Sequence, residues 1–349
     1  MCLHGYLQNA ALFRTRTGSL RKGLKSRAGA FAYVDAPYEA SEARTVVWVA
    51  AEGDEGGAEG GGGGEERLAG GGADDAAAAT AAAAAAADAA AAAPSGSATD
   101  GEAGAAAPGG AGGGRSWFCW EEVRRRAPPG GAAAASAAAA DGAPPSPRPT
   151  RPSQATRYTG WEASFQAIAA ALKAAAAGEE GAAAVGAPPA AAQPASAAAA
   201  RAPRLGLVGF SQGAAAGALF LSDLAERQAR GECRDVPFPA FAVLCAGFLP
   251  RDAACAGLIR RQRAGGVPVL VVTGESDALV PRERSDALVA ALRGEEGEGG
   301  GGGGSRQAAA REWLHPGGHL LPTCSGAFKG ALVAFLDEAE AQTAVAAAR

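Results

Sequence analysis

Histidine is the scarcest chemistry-bearing residue of this chain: only His4, His315 and His319 occur in 349 residues. Six cysteines (Cys2, Cys119, Cys233, Cys245, Cys255 and Cys324) form no C-x-x-C pair. A zinc site therefore has no ligand set to draw on, and neither a metal nor an organic cofactor is expected. Several of the thiols lie in apolar runs, which reads as free, buried cysteine in a reducing compartment, and the expected location is cytoplasmic. Lysine and arginine total 32 against 36 acidic residues and form no basic stripe, which excludes nucleic acid as the main partner. A membrane-spanning run is missing too. The nearest candidate, residues 76–93, is nearly all alanine with Thr80 and Asp88 inside it, and alanine contributes little to insertion. Aromatic residues make up only 6%, so the 48% hydrophobic content is inflated by alanine, which buries little area.

What is present falls into two kinds of sequence. Four stretches, at about 51–114, 128–152, 178–202 and 294–304, are rich in glycine, alanine, proline or glutamate. They hold too little branched or aromatic surface to offset their ordering entropy, and are expected to be disordered insertions. The remaining residues, about 200, suit one α/β domain, so that 1–349 reads as a single interrupted domain. Its elements alternate. A strand end at 2–3 precedes a helix over 10–25 broken at Gly18, and a strand follows over 30–34, the order of a parallel βαβ unit. Further strands are expected at 45–50, 205–208, 241–247, 267–274 and 312–315. Helices are expected at 158–177, from 214 to 230, at 284–292 and at 325–340. The helix over 158–177 carries Trp161, Phe165, Ile168 and Leu172 at i, i+4, i+7 and i+11, one apolar face. Residues 1–3 leave little for a first strand that should be central, where five or six residues are usual. That strand is either unusually short or has lost its beginning, and with it any targeting segment.

The segment Gly209-Phe210-Ser211-Gln212-Gly213 matches G-x-S-x-G between a buried strand and a helix. A reversal this tight strains the serine backbone, and the flanking glycines leave room where a Cβ would clash. It lifts the hydroxyl over a helix N-terminus that favours negative charge. Alone, the pentapeptide is equally a glycine-rich turn with a capping serine. The glycines around it are not spaced as G-x-G-x-x-G, and no G-x-x-x-x-G-K occurs, so dinucleotide and P-loop readings fail.

A nucleophilic serine needs a base oriented by an acid. His315 still belongs to the last strand, whereas Pro316-Gly317-Gly318 turns the chain and puts His319 on the loop, so His319 is the expected base. The acid should follow a strand between serine and base; Asp277 is the choice, with Glu275 and Asp252 as rivals. Two backbone N–H groups must face the oxyanion, one from Gln212 and one from the His4-Gly5-Tyr6 loop, at Tyr6. Trp117 and Phe118 are either core residues or the wall of a substrate pocket.

Taken together, Leu-His-Gly-Tyr-x-Gln-Asn at 3–9, Val-Asp-Ala-Pro at 34–37, Arg-Ser-Trp-Phe at 115–118 and Gly-Phe-Ser-Gln-Gly-Ala-Ala at 209–215 resemble the FSH family of serine hydrolases. So do Gly-Glu-Ser-Asp-x-x-Val-Pro at 274–281, the 282–285 segment and His-Pro-Gly-Gly-His-x-x-Pro at 315–322. The resemblance implies an α/β-hydrolase fold, a mostly parallel sheet flanked by helices. It also implies a Ser211–Asp277–His319 triad and a small-molecule ester or thioester substrate, and it favours Asp277 over its rivals. The reading from another class is a hydrolase-fold protein that binds a ligand or partner without catalysis.

Overall fold

The structure, a computed structural model, describes residues 1–49, 113–125, 152–178, 204–294 and 310–347. The bulk of the four low-complexity stretches lies outside the described residues. At their edges, Gly113, Gly114, Pro152, Gly178 and Gly294 fall within the described part.

Six strands form the central sheet: β1 (Cys2–Leu3), β2 (Tyr33–Val34), β8 (Gly206–Phe210), β9 (Phe241–Cys245), β10 (Val269–Gly274) and β11 (Ala310–His315). They lie in the order β11-β10-β9-β8-β1-β2, and every neighbouring pair is parallel. From β1 the chain adds β2 on one side. It then returns to the other side of β1 for β8 and proceeds outward to β11. The strand order thus reverses between β1 and β8, and the loops leaving their C-terminal ends border the crevice where parallel sheets hold ligands. As expected, β1 is short, but both residues pair on both sides: Cys2 with Tyr33 and Val208, Leu3 with Val34 and Gly209.

The period of two along each strand divides the core. Leu207, Leu244, Val269 and Val271 face one cluster. It is covered by α3 (Trp161–Ala177), α4 (Gln212–Ala229), α5 (Ala253–Gln262) and α6 (Arg282–Arg293). Val208, Phe210, Val243, Leu270 and Val272 face the other. It is covered by α1 (Ala10–Arg16), α2 (Gly18–Gly23) and α7 (Gly326–Ala347). The result is a helix–sheet–helix sandwich. The break expected at Gly18 in the helix over 10–25 falls at the residue before it, Thr17, whose hydroxyl turns back to the Phe13 carbonyl and meets the Tyr33 hydroxyl at 2.5 Å. On the apolar face of α3, Phe165, Ile168 and Leu172 are fully buried.

Two small sheets flank the central one. β3 (Tyr38–Glu39) pairs antiparallel with β5 (Arg115–Ser116), while β4 (Arg44–Val49) and β7 (Tyr158–Thr159) flank β6 (Cys119–Arg125). No helix among the described residues is long and apolar enough to cross a membrane.

Helix α4 is buried on all sides over residues 212–224. Its first turn can lie so close to the sheet because it is built from glycine and alanine. A Cβ on Gly213 would overlap the carbonyl oxygens of Leu3 and His4, and one on Gly217 would stand 2.7 Å from the Leu207 side chain. The obstruction at Gly213 is backbone, which cannot rotate away. Gly213→Ala is accordingly expected to destabilise the fold by about 3 kcal/mol, the upper range for overpacking. The shift of the urea unfolding midpoint at constant slope measures it, and an unchanged midpoint would mean that β1 and α4 can separate freely.

Candidate active site

Ser211 follows β8 and precedes α4 with φ 53° and ψ −118°, a backbone that side-chain-bearing residues rarely adopt. Its N–H donates to the Cys245 carbonyl at 2.8 Å, which fixes the turn to the neighbouring strand. The glycines of the pentapeptide have distinct reasons. A Cβ at Gly209 would meet the backbone of Gly213 and Ala214, and one at Gly213 would meet the end of β1. The capping role considered for the serine is not observed, because its side chain makes no cap hydrogen bond. Instead the hydroxyl lies 2.9 Å from His319 Nε2.

The other face of the His319 ring is set by Asp277, whose Oδ2 is 2.7 Å from Nδ1. The carboxylate is held in turn: its Oδ1 accepts from the N–H groups of Leu279 and Val280, each at 2.8 Å. Burial alone pulls this carboxyl up. The hydrogen bond and charge of His319, with the two backbone donors, outweigh burial and hold it below the ordinary aspartate value. An ionised Asp277 accepts Nδ1–H, leaving the Nε2 lone pair toward Ser211.

The turns that carry these two residues are laced together. The Glu275 N–H donates to the His315 carbonyl at 2.8 Å, the Ser276 N–H to Gly317 and the Ser276 hydroxyl to Pro316. Gly274 is where they touch, since a Cβ there would overlap the carbonyls of Gly317 and Gly318. His315 is buried at the strand end, and its Nδ1 accepts the Gly317 N–H at 3.2 Å. It thus shapes the turn that presents His319. The rivals for the acid stand elsewhere. Asp252 caps α5, accepting from Cys255 N–H at 3.0 Å and from Tyr158 N–H at 2.9 Å, and Glu275 is exposed.

The loop after β1 is a tight turn. Gln8 N–H donates to Gly5 O at 3.2 Å, with Leu7 at φ 62° in the third position, where such a turn needs positive φ. Gly5 N–H goes to the Gln8 side chain at 3.1 Å and Leu7 N–H to the Arg115 carbonyl at 3.1 Å. Among the described residues the Tyr6 N–H is the one backbone donor of this turn without an acceptor. Gln212 is the first residue of α4, so its N–H is outside the helical ladder. Gly5 abuts the elbow: a Cβ there would stand 3.4 Å from that of Ser211.

His4 is fully buried below this turn. Its Nδ1–H donates to Gly5 O at 2.8 Å, and its Nε2 accepts the Ala36 N–H at 3.0 Å. Acceptance at Nε2 requires the neutral ring, and burial lowers its pKa to about 4. Trp117 and Phe118 are fully buried as well. Both rings belong to the larger core cluster. Phe118 stacks on Tyr158 at 4.6 Å, and Trp117 packs on His4 at 5.3 Å. Sequence reasoning missed Gln8 as the brace of the turn and Trp117 as a hydrogen-bonding residue. The polar indole beside Ser116 was the available signal.

Comparison with known proteins follows the same line. Human esterase OVCA2 is 33% identical over 135 residues, 38% of this chain and 49% of that protein. The mouse esterase OVCA2 is 32% identical over 135 residues, 38% of this chain and 48% of that protein. The chain spans about half the length of the curated relatives it matches. Among solved structures, Zea mays acyl-protein thioesterase 2 aligns with a TM-score of 0.34 and 16% identity, covering 52% of this chain and 67% of that one. The family model described as Serine hydrolase (FSH1) matches residues 1–67 and 142–329, a range that takes in the Ser211 elbow, the Asp277 turn and the His319 loop. With its parallel sheet and flanking helices forming the α/β-hydrolase fold, the chain belongs to the FSH1 serine hydrolase family.

Proposed function

We propose that this protein is an esterase or thioesterase that hydrolyses a small-molecule acyl ester through a covalent intermediate on Ser211. The observation that carries the reading is the unbroken run from Asp277 Oδ2 to His319 Nδ1 at 2.7 Å and from His319 Nε2 to Ser211 Oγ at 2.9 Å. His319 removes the hydroxyl proton as Oγ attacks the carbonyl carbon, and the C=O electron pair moves onto oxygen. The N–H groups of Tyr6 and Gln212 receive that oxyanion. His319 then returns the proton to the leaving alcohol or thiol as the C–O or C–S bond breaks. Water repeats the sequence on the acyl-enzyme, releasing the acid and restoring Ser211. Asp277 stays ionised and orients the ring. The chain acts as one domain, its low-complexity stretches falling between elements of a single fold.

The reading separates Asp277 from Asp252. With p-nitrophenyl esters of graded chain length and an acyl-CoA, Ser211→Ala and His319→Ala are expected to lose roughly 10⁴-fold or more in kcat. Asp277→Asn should lose on the order of 10³- to 10⁴-fold. Asp252→Ala should keep its kcat and lose about 1 kcal/mol of stability as the α5 cap is removed. A fluorophosphonate probe should label the wild type and not Ser211→Ala. A folded wild type that takes no probe and turns over no ester would point to a binding protein instead.

Stability is expected to fall in acid, and the sign follows from His4. The ring titrates near 6.5 when unfolded and near about 4 when folded, so the unfolded chain binds the proton first. Its contribution is complete above pH 6.5, declines as pH drops toward about 4, and loses nothing further below; the span is roughly 3 kcal/mol. His315 and Asp277, both lowered, act in the same direction, so the test is a difference. Urea midpoints of wild type and His4→Gln compared from pH 7 to 4 should show a shallower slope in the variant. Parallel slopes would remove His4 as the titrating group.

A further inference from the structure

Resting on the reading of Ser211 as nucleophile, we propose that Trp117 is the positioning residue of the oxyanion hole, tying its two backbone donors into one rigid unit. Those donors, Tyr6 and Gln212, sit on different elements, the turn after β1 and the start of α4. Their separation decides how well the oxyanion is held, because such donors act only at about 2.7–3.1 Å.

The segment 115–118 binds both. On the turn, Arg115 pairs with Gln8 across an isolated bridge: its N–H donates to Gln8 O at 2.8 Å and its carbonyl accepts the Leu7 N–H at 3.1 Å. The indole Nε1–H of Trp117 donates to the His4 carbonyl at 2.8 Å, on the strand side of the same turn. On the helix, Trp117 reaches the second donor residue itself: its backbone N–H donates to Gln212 Oε1 at 2.9 Å. The Gln212 amide closes the circuit by donating from Nε2 to Ser116 Oγ at 2.9 Å, and Ser116 passes its own proton to the Phe118 carbonyl at 2.7 Å. A third bond, Ser164 hydroxyl to the Trp117 carbonyl at 2.5 Å, anchors the segment to α3.

His4, Ser116, Trp117, Phe118, Ser164 and Gln212 are buried, so each bond lost among them leaves a polar atom stranded without water. Trp117 touches none of the reacting atoms. Its ring fills the space beside His4 while its N–H supplies the donor, a combination that phenylalanine cannot provide.

The test compares Trp117→Phe, which keeps an aromatic ring and removes Nε1–H, with Gln212→Met, which keeps the backbone N–H and removes the amide. Active sites are counted with a fluorophosphonate, so that misfolded protein does not enter the rate. Each variant is expected to lose about 10- to 100-fold in kcat toward a p-nitrophenyl ester with KM within about twofold. Affinity for a trifluoromethyl ketone, which forms an oxyanion on Ser211, should weaken by the same factor. The pH profile of kcat/KM should stay in place, because the His319–Asp277 pair is untouched. Wild-type kcat per titrated site and wild-type ketone affinity in both variants would overturn the proposal, as would a loss wholly explained by fewer titratable sites. A wild type that binds the ketone at Ser211 keeps the nucleophile assignment intact in that event. One that neither binds it nor turns over ester overturns both.

Discussion

Everything at the site depends on how closely the first turn of α4 can approach the ends of β1 and β8. Side chains normally hold a helix away from the backbone of the sheet it covers. Here glycine at 209 and 213 removes them, and the helix start rests on peptide groups of the sheet. That contact holds Ser211 at its positive φ, and it seats Gln212 beside the turn that carries Tyr6. The strain of order 1–3 kcal/mol at Ser211 is offset by the burial of thirteen consecutive residues, 212–224, behind it.

A second contact of the same kind joins the turns that carry Asp277 and His319. Gly274 lets the loop after β10 lie against the Gly317–Gly318 peptide, and backbone bonds from Glu275 and Ser276 lock the register. The two side chains therefore meet on a rigid backbone frame. The carboxylate spends two of its acceptor sites on Leu279 and Val280 and one on His319, which explains its low proton affinity despite near-complete burial.

The long apolar strands β8, β9 and β10 were legible in the sequence because continuous Val/Leu runs need burial on both faces. So were the elbow and the order of Ser211, Asp277 and His319, which follow from strand ends. The capping position of Asp252 was not legible: a helix cap and a candidate acid both sit after a strand, and only the structure shows the Tyr158 and Cys255 N–H groups that this carboxylate accepts. The pairing of the small sheets β3–β5 and β4–β6–β7 was likewise hidden, although a strand at 45–50 was expected, since three of their strands, β3, β5 and β7, are two residues long and their partners lie across low-complexity sequence. Trp117 and Phe118 were ambiguous for a related reason. An aromatic pair reads the same in a wall or a core until the acceptors of its polar atoms are known.

The pairing of β1 with β8 carries a consequence for how this chain reaches its fold. Cys2 and Val208 are partners at the centre of the sheet although most of the chain's low-complexity sequence lies between them. Loop closure grows only with the logarithm of length, about 0.6 kcal/mol for each doubling, so inserted residues there weaken the finished protein little. Their burden falls on speed. The central pair is among the most non-local contacts of the molecule, and folding rates decline as such contacts dominate. Shortening those stretches is therefore a route to a faster-folding protein more than to a tougher one.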